Sequence, residues 1–97
     1  MTTTVVRYTT HPDRGDENAA LIEKVMAELA ETRPDGLSYR VHRLTDGTFV
    51  HIAEVTTADG TNPLLTSPAF QAFTRDIADR ITAPAVALPG ELVGSYP

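Results

Sequence analysis

The dipeptide Asp46-Gly47 constrains this chain more than any other feature. It stands between two runs, Leu37 to Leu44 and Thr48 to Val55, that are rich in β-branched and aromatic residues. Asp-Gly adopts positive φ readily, so the spacing predicts a β-hairpin closed by a two-residue turn. That turn sets a register. It places Leu44 opposite Phe49, His42 opposite His51, Arg40 opposite Ala53 and Ser38 opposite Val55, all on one face. Leu37, Tyr39, Val41 and Arg43 then share the other face with Val50, Ile52 and Glu54.

The rest of the chain supplies the partners of this hairpin. Thr4 to Thr10 reads as a first strand that stops at His11-Pro12. Asp13 and Asp16 are candidate caps for a helix running to about Thr32, whose apolar stripe is Leu21, Ile22, Val25, Met26, Leu29 and Ala30. Arg33-Pro34-Asp35-Gly36 ends it, since proline cannot continue the hydrogen-bond ladder. A short helical turn is expected at Leu64-Leu65. Ser67-Pro68 then opens a second helix with a capping hydroxyl and a proline at its first position. Its stripe is Phe70, Phe73, Ile77, Ala78 and Ile81, with Arg80 placed elsewhere around the helix. Ala83-Pro84 stops it, Ala85 to Leu88 reads as a last strand, and Gly90 to Pro97 as an extended tail.

The order β-α-β-β-α-β is the ferredoxin-like plan of an α+β domain, expected over residues 1–97 as one unit. Four antiparallel strands carry two helices on one face. In the two-residue register the opposite face shows Leu37, Tyr39, Val41, Val50 and Ile52. A soluble monomer rarely leaves such a patch open, so a second copy packed sheet to sheet is expected, with C2 symmetry. The apolar Leu92, Val93 and Tyr96 of the tail are expected to pack on that partner.

Composition narrows the function. Eight Lys and Arg stand against 13 Asp and Glu, a formal net charge of -5. Nucleic acid and anionic membranes both require a basic surface, so neither is an expected partner. Cysteine is absent, which removes disulfides, a thiol nucleophile and thiolate metal sites. No apolar run reaches the roughly 18–20 residues of a membrane span and no signal-like start is seen, so a cytoplasmic protein is expected. Serine-elbow, dinucleotide and phosphate-loop motifs are missing.

Four residues are candidate ligand contacts: Arg40, His42, His51 and Phe73. Facing imidazoles at 42 and 51 can share a proton or hold a substrate hydroxyl, and are expected to titrate as a coupled pair below the free value. A metal site needs three or four converging ligands, and neither Glu54, on the other face, nor His11, by a loop, completes one; none is expected. The Arg40 guanidinium can meet a phenolate or carboxylate. Each has a plainer alternative: satisfied histidines on a half-buried sheet, an arginine with its head in water, and Phe73 as helix core. Tyr8 and Tyr39 can donate to a substrate oxygen, although strand tyrosines usually pack with a wet tip. Catalytic residues are not identifiable.

The run Leu64-Leu65-Thr66-Ser67-Pro68-Ala69-Phe70-Gln71-Ala72-Phe73 resembles the antibiotic biosynthesis monooxygenase-like proteins of the dimeric α+β barrel superfamily. Gly36-Leu37-Ser38-Tyr39-Arg40-Val41 and the third-strand Glu54 fit the same pattern, and the resemblance extends from Val5 to about Ala85. It implies a homodimer with a small-molecule pocket between sheet and helices. It also implies cofactor-free oxygenation of an aromatic or polyketide-like metabolite, or, alternatively, a ligand-binding or structural dimer without turnover. The Trp frequent after the third-strand Glu falls here on Val55, the His ahead of the Ser-Pro cap falls near Leu64, and the first strand has no Asn. These departures count against the haem-degrading branch.

Overall fold

A computed structural model describes residues 1–97. In chain order the elements are β1 (Thr2–Thr9), α1 (Gly15–Thr32), β2 (Leu37–Arg43), β3 (Thr48–Val55), a 3-10 turn (Pro63–Thr66), α2 (Pro68–Arg75), α3 (Ile77–Arg80) and β4 (Val86–Gly90). The strands form one antiparallel sheet in the order β2-β3-β1-β4, the ferredoxin-like arrangement. The helices cover one face, where Tyr8, Phe49, Ile22, Val25, Leu64 and Phe73 form the core.

The hairpin corrects the expected register by one residue. Leu44 N–H bonds the Thr48 carbonyl, so the loop is Thr45-Asp46-Gly47, three residues rather than two. The Gly47 N–H returns to the Leu44 carbonyl, and Gly47 alone in the loop has positive φ, at 90°. This is a type I turn followed by a glycine bulge; the two-residue type I′ turn needs positive φ at both central positions. Asp46 supports it by accepting the Thr48 N–H through Oδ1 at 2.9 Å.

Because side chains alternate with period two, this single residue turns β2 over. Val41 lies opposite His51, Tyr39 opposite Ala53 and Arg43 opposite Phe49, all on the helix side. Arg40 and His42 lie opposite Ile52 and Val50 on the outer face, and His42 and His51 are not neighbours. The expected outer patch is corrected with them: Leu37, Tyr39 and Val41 pack against the core, and the outer apolar residues are Val5, Val50, Ile52, Val86 and Leu88.

Helix termini differ from expectation in a second way. The N-cap of α1 is Arg14, with no side-chain cap bond, and neither Asp13 nor Asp16 takes that role. Ser67 caps α2 as expected, its Oγ accepting the Phe70 N–H at 3.1 Å. The same hydroxyl donates to Glu28 of α1, whose carboxylate also takes the Ala69 N–H at 3.2 Å. A carboxylate from one helix thus completes the N-terminus of the other, where free N–H groups and the dipole favour negative charge. The second helix is interrupted at Asp76 into α2 and α3, and Thr74 Oγ1 bonds the Gln71 carbonyl just before the break. Such back-bonding bends helices. The last strand runs to Gly90, two residues beyond its expected end.

Candidate functional site

The face between sheet and helices holds a polar chain in an apolar setting. Alternation along β1 and β3 puts Tyr8, Phe49 and His51 on the helix side. From α1, Asn18 joins them, one turn before Ile22 on the apolar stripe; from α3 comes Arg80. The contacts are continuous. Arg80 Nε donates to Asn18 Oδ1 at 2.9 Å, and Asn18 Nδ2 donates to the Tyr8 hydroxyl at 2.9 Å. The Tyr8 hydroxyl meets His51 Nε2 at 2.7 Å, and His51 Nδ1 meets the Tyr39 hydroxyl at 2.7 Å.

Arg80 is 2% exposed, yet no carboxylate lies within ion-pair distance; the two salt bridges, Arg14–Glu17 and Arg43–Asp16, are on the surface. Its charge is met instead by Asn18, by the Phe73 carbonyl at 2.6 Å, and by the face of Phe73, 5.2 Å from the guanidinium carbon. Burying a charge this way is costly unless every donor is used, and it reinforces the dipoles of the chain it feeds.

Burial sets the proton affinities. Desolvation lowers His51 from 6.5 to about 4, which keeps the imidazole neutral near pH 7. Burial raises Tyr8 to about 12, with Asn18 and Arg80 opposing part of the shift. It also raises Tyr39, to which the neighbouring Tyr8 adds. The expected coupling of two histidines is corrected here: His51 is shifted by desolvation, and its ring partners are tyrosines rather than His42.

Beside this chain lies a cavity of about 260 Å³. Tyr39, His51, Phe70, Phe73, Leu64 and Ile77 form much of its wall, with Val6, Ala53, Thr4, Asn62 and Thr74 completing it. Phe73 packs at 5.5 Å from the His51 ring, and Phe70 meets Tyr39 edge-on at 6.3 Å. The cavity is thus mostly aromatic and aliphatic with a few polar groups, the usual makeup of a small-molecule site. It exceeds the roughly 150 Å³ that accommodates a benzene ring.

Of the four sequence candidates, His51 and Phe73 line the cavity, whereas Arg40 and His42 are exposed on the opposite face of the sheet. Sequence reasoning missed Asn18 and Arg80. Both carried a signal: Asn18 precedes Ile22 by four and Val25 by seven, and Arg80 follows Phe73 by seven, the spacings of a shared helical face. No group of three or more His, Cys, Asp or Glu is arranged to hold a metal ion. No helix is long and apolar enough to cross a membrane.

The fold and this inner cavity define a class: an α+β, ferredoxin-like protein with its polar centre between sheet and helices. More particularly, the fold is that of the antibiotic biosynthesis monooxygenase-like proteins. The chain is similar to a solved antibiotic biosynthesis monooxygenase at 16% identity, over 97% of this chain and 100% of that one, with a TM-score of 0.73. It is similar to Rv0793 from Mycobacterium tuberculosis at 18% identity, over 99% and 98% of the two chains, with a TM-score of 0.75. A third similar structure is SnoaB, a cofactor-independent oxygenase from Streptomyces nogalater, at 22% identity over 99% and 96%, TM-score 0.70. At these identities the likeness is one of fold. No protein-family model matches the sequence, nor does any curated protein.

Proposed function

We propose that this protein is a homodimeric small-molecule pocket protein that oxygenates an electron-rich aromatic or polyketide-like metabolite without a cofactor. The observation that carries the reading is the aromatic-walled cavity lined on one side by Tyr39 and His51, with Tyr8 bonded to His51 behind them. A flat ring system fits between Phe70, Phe73 and Leu64, with an oxygen directed at the Tyr39 hydroxyl. Tyr39, His51 and Phe73 are the proposed ligand contacts; Arg40 and His42, on the outer face, are not in this set.

In such a reaction the substrate supplies all the electrons. For an anthrone, the CH2 carbon becomes a carbonyl: one atom of O2 stays on carbon, and the other leaves as water with the two hydrogens lost. The residues bind and orient the ring and stabilise charge on its oxygen by donated hydrogen bonds in a desolvated site. The similar fold of SnoaB supports the reading.

The dimer rests on the outer face. Val5, Val50 and Ile52 are half-buried in the single chain, while Val86 and Leu88 are 43% and 58% exposed. A second copy packed there removes that area from water, and Val93 and Tyr96, fully open in one chain, lie free to reach the partner.

One observation favours the alternative, a binder without turnover. His51, the basic group nearest the cavity, has both ring nitrogens engaged and an affinity lowered to about 4, so it is a poor acceptor of a substrate proton near neutrality. Oxygen uptake with anthrone decides between them. Uptake proportional to protein, abolished by filling the cavity with Ala53→Trp, supports the oxygenase; saturable binding without uptake identifies the binder.

A further inference from the structure

The hydrogen-bond chain has a direction, and one residue imposes it. Arginine has donors and no acceptor, so its bond to Asn18 fixes the amide with Oδ1 toward Arg80 and Nδ2 toward Tyr8. The Tyr8 oxygen therefore accepts from Asn18. Tyr8 is 5% exposed, and the only other partner of its hydroxyl is His51 Nε2. Were Nε2 the donor, the Tyr8 proton would be buried without an acceptor. So Tyr8 donates to Nε2. A neutral imidazole that accepts at Nε2 carries its hydrogen on Nδ1, and Nδ1–H then donates to the Tyr39 oxygen. The Tyr39 O–H is left over, in a residue that lines the cavity and has no other protein partner for that hydroxyl.

We propose that Tyr39 is the specificity-determining residue of this cavity: its hydroxyl is the last donor of a chain polarised by buried Arg80, so the site takes a flat apolar ligand presenting an acceptor oxygen, a carbonyl or phenolate, and disfavours one presenting only a donor. Arg80 and Asn18 are positioning residues that act through Tyr8 and His51. The inference rests on the cavity being a ligand site, as proposed above. It adds which end of the ligand faces the chain and which polarity that end carries. The cost of a mismatch is the ordinary cost of opposing two donors, each left without an acceptor in a desolvated wall.

The test uses three bicyclic probes of one shape: 1-indanone, which only accepts, indole, which only donates, and indane, which does neither. Binding to the intact protein is followed by NMR titration. Affinity for 1-indanone is expected to exceed that for the other two by about tenfold, the worth of one hydrogen bond. In Tyr39→Phe the preference is expected to vanish while indane binds unchanged. Equal affinities in the wild type overturn the polarity proposal and leave the cavity a ligand site; failure of all three to bind overturns the ligand-site reading and this proposal with it. The direction is also read without any ligand or variant, by long-range proton–nitrogen correlation of the His51 ring. Hydrogen on Nδ1 is expected, and hydrogen on Nε2 overturns the proposal. In Arg80→Met, Asn18 is free to turn over, and a mixture of both tautomers is expected; an unchanged Nδ1–H form removes Arg80 from the chain of cause.

Discussion

His51 Nδ1 lies 2.7 Å from the Tyr39 hydroxyl, while Nε2 of the same ring lies 2.7 Å from the Tyr8 hydroxyl. The imidazole is thus held between two phenols, one from an edge strand and one from a central strand. Its two nitrogens and the Tyr8 hydroxyl are satisfied together only while the ring is neutral. A second proton would turn an acceptor into a donor and strand the Tyr8 O–H, adding to the desolvation that already disfavours the imidazolium.

This geometry makes stability fall in mild acid. The folded value of about 4 lies below the unfolded 6.5, so the unfolded chain binds more protons between them. The His51 contribution is complete above pH 6.5 and is lost as pH falls toward 4, by about 3 kcal/mol in total. Urea unfolding at pH 7.5 and 4.5 measures it. The difference between wild type and His51→Gln isolates this residue from the exposed carboxylates Glu17, Asp46 and Asp59, whose lowered values act further into acid. Equal pH slopes in the two proteins would show that His51 titrates as it does unfolded.

The alkaline limb has the same origin, desolvation, and the opposite sign. Tyr8 and Tyr39 hold their protons more tightly folded than unfolded, so stability is expected to fall again as pH rises from 10. Spectrophotometric titration should find Tyr8 and Tyr39 still protonated just above pH 10 while the fold persists. Ionisation of both at pH 10, in a chain still folded, would contradict the burial.

Arg80 and Asn18 should be energetically coupled. Arg80→Met leaves the Asn18 and Phe73 carbonyl oxygens without a donor, at a cost of about 2–4 kcal/mol. Adding Asn18→Leu removes one of the orphaned acceptors, so the double variant is expected to be more stable than the two single losses added together, by at least about 1 kcal/mol. Denaturant unfolding of the four proteins checks it; strict additivity would mean the bond contributes nothing.

The three-residue loop is the feature that turns β2 over, and it can be attacked directly. A Cβ on Gly47 has ordinary space, its nearest neighbour being Thr9 Cγ2 at 3.8 Å, so Gly47→Ala is expected to cost only the left-handed backbone, about 1–2 kcal/mol. Deleting Leu44 is expected to be far worse. With the Thr45-Asp46-Gly47 loop kept, it places Arg43 opposite Thr48 and exchanges Tyr39 and Val41 for Arg40 and His42 on the core side, so loss of cooperative thermal unfolding is expected by circular dichroism.

On the outer face, Ile52→Lys is expected to separate the proposed dimer into monomers, seen as halved mass in light scattering at micromolar concentration. Truncation after Gly90 keeps the β1–β4 ladder but removes Leu92, Val93 and Tyr96, and is expected to raise the dimer dissociation constant. A monomeric wild type would remove the sheet-to-sheet arrangement altogether.

Much of this was local, and what was local was legible. The β-α-β-β-α-β order follows from alternation, helical stripes and breakers; the Ser67-Pro68 start and the turn at Leu64-Leu65 follow from the chemistry of one or two residues. His51 and Phe73 line the cavity because their faces follow from the alternation of one strand and the stripe of one helix, although the expected pairing with His42, which singles out His51 in the sequence, is absent. The hairpin register was not local. Asp-Gly serves a type I′ turn and a type I turn with a glycine bulge alike, and β3 carries apolar side chains on both faces, Phe49 and Val55 on one, Val50 and Ile52 on the other. Only β2 could decide, because Leu37, Tyr39 and Val41 alternate with Ser38, Arg40 and His42. The decision falls to the core, which gains by burying the first set and keeping the second in water. Two further relationships needed the assembled fold for the same reason. Glu28 capping a helix 39 residues away, and Arg80 feeding Asn18 from 62 residues away, depend on distances that no local propensity encodes and that exist only once α1, α2 and α3 lie on the sheet.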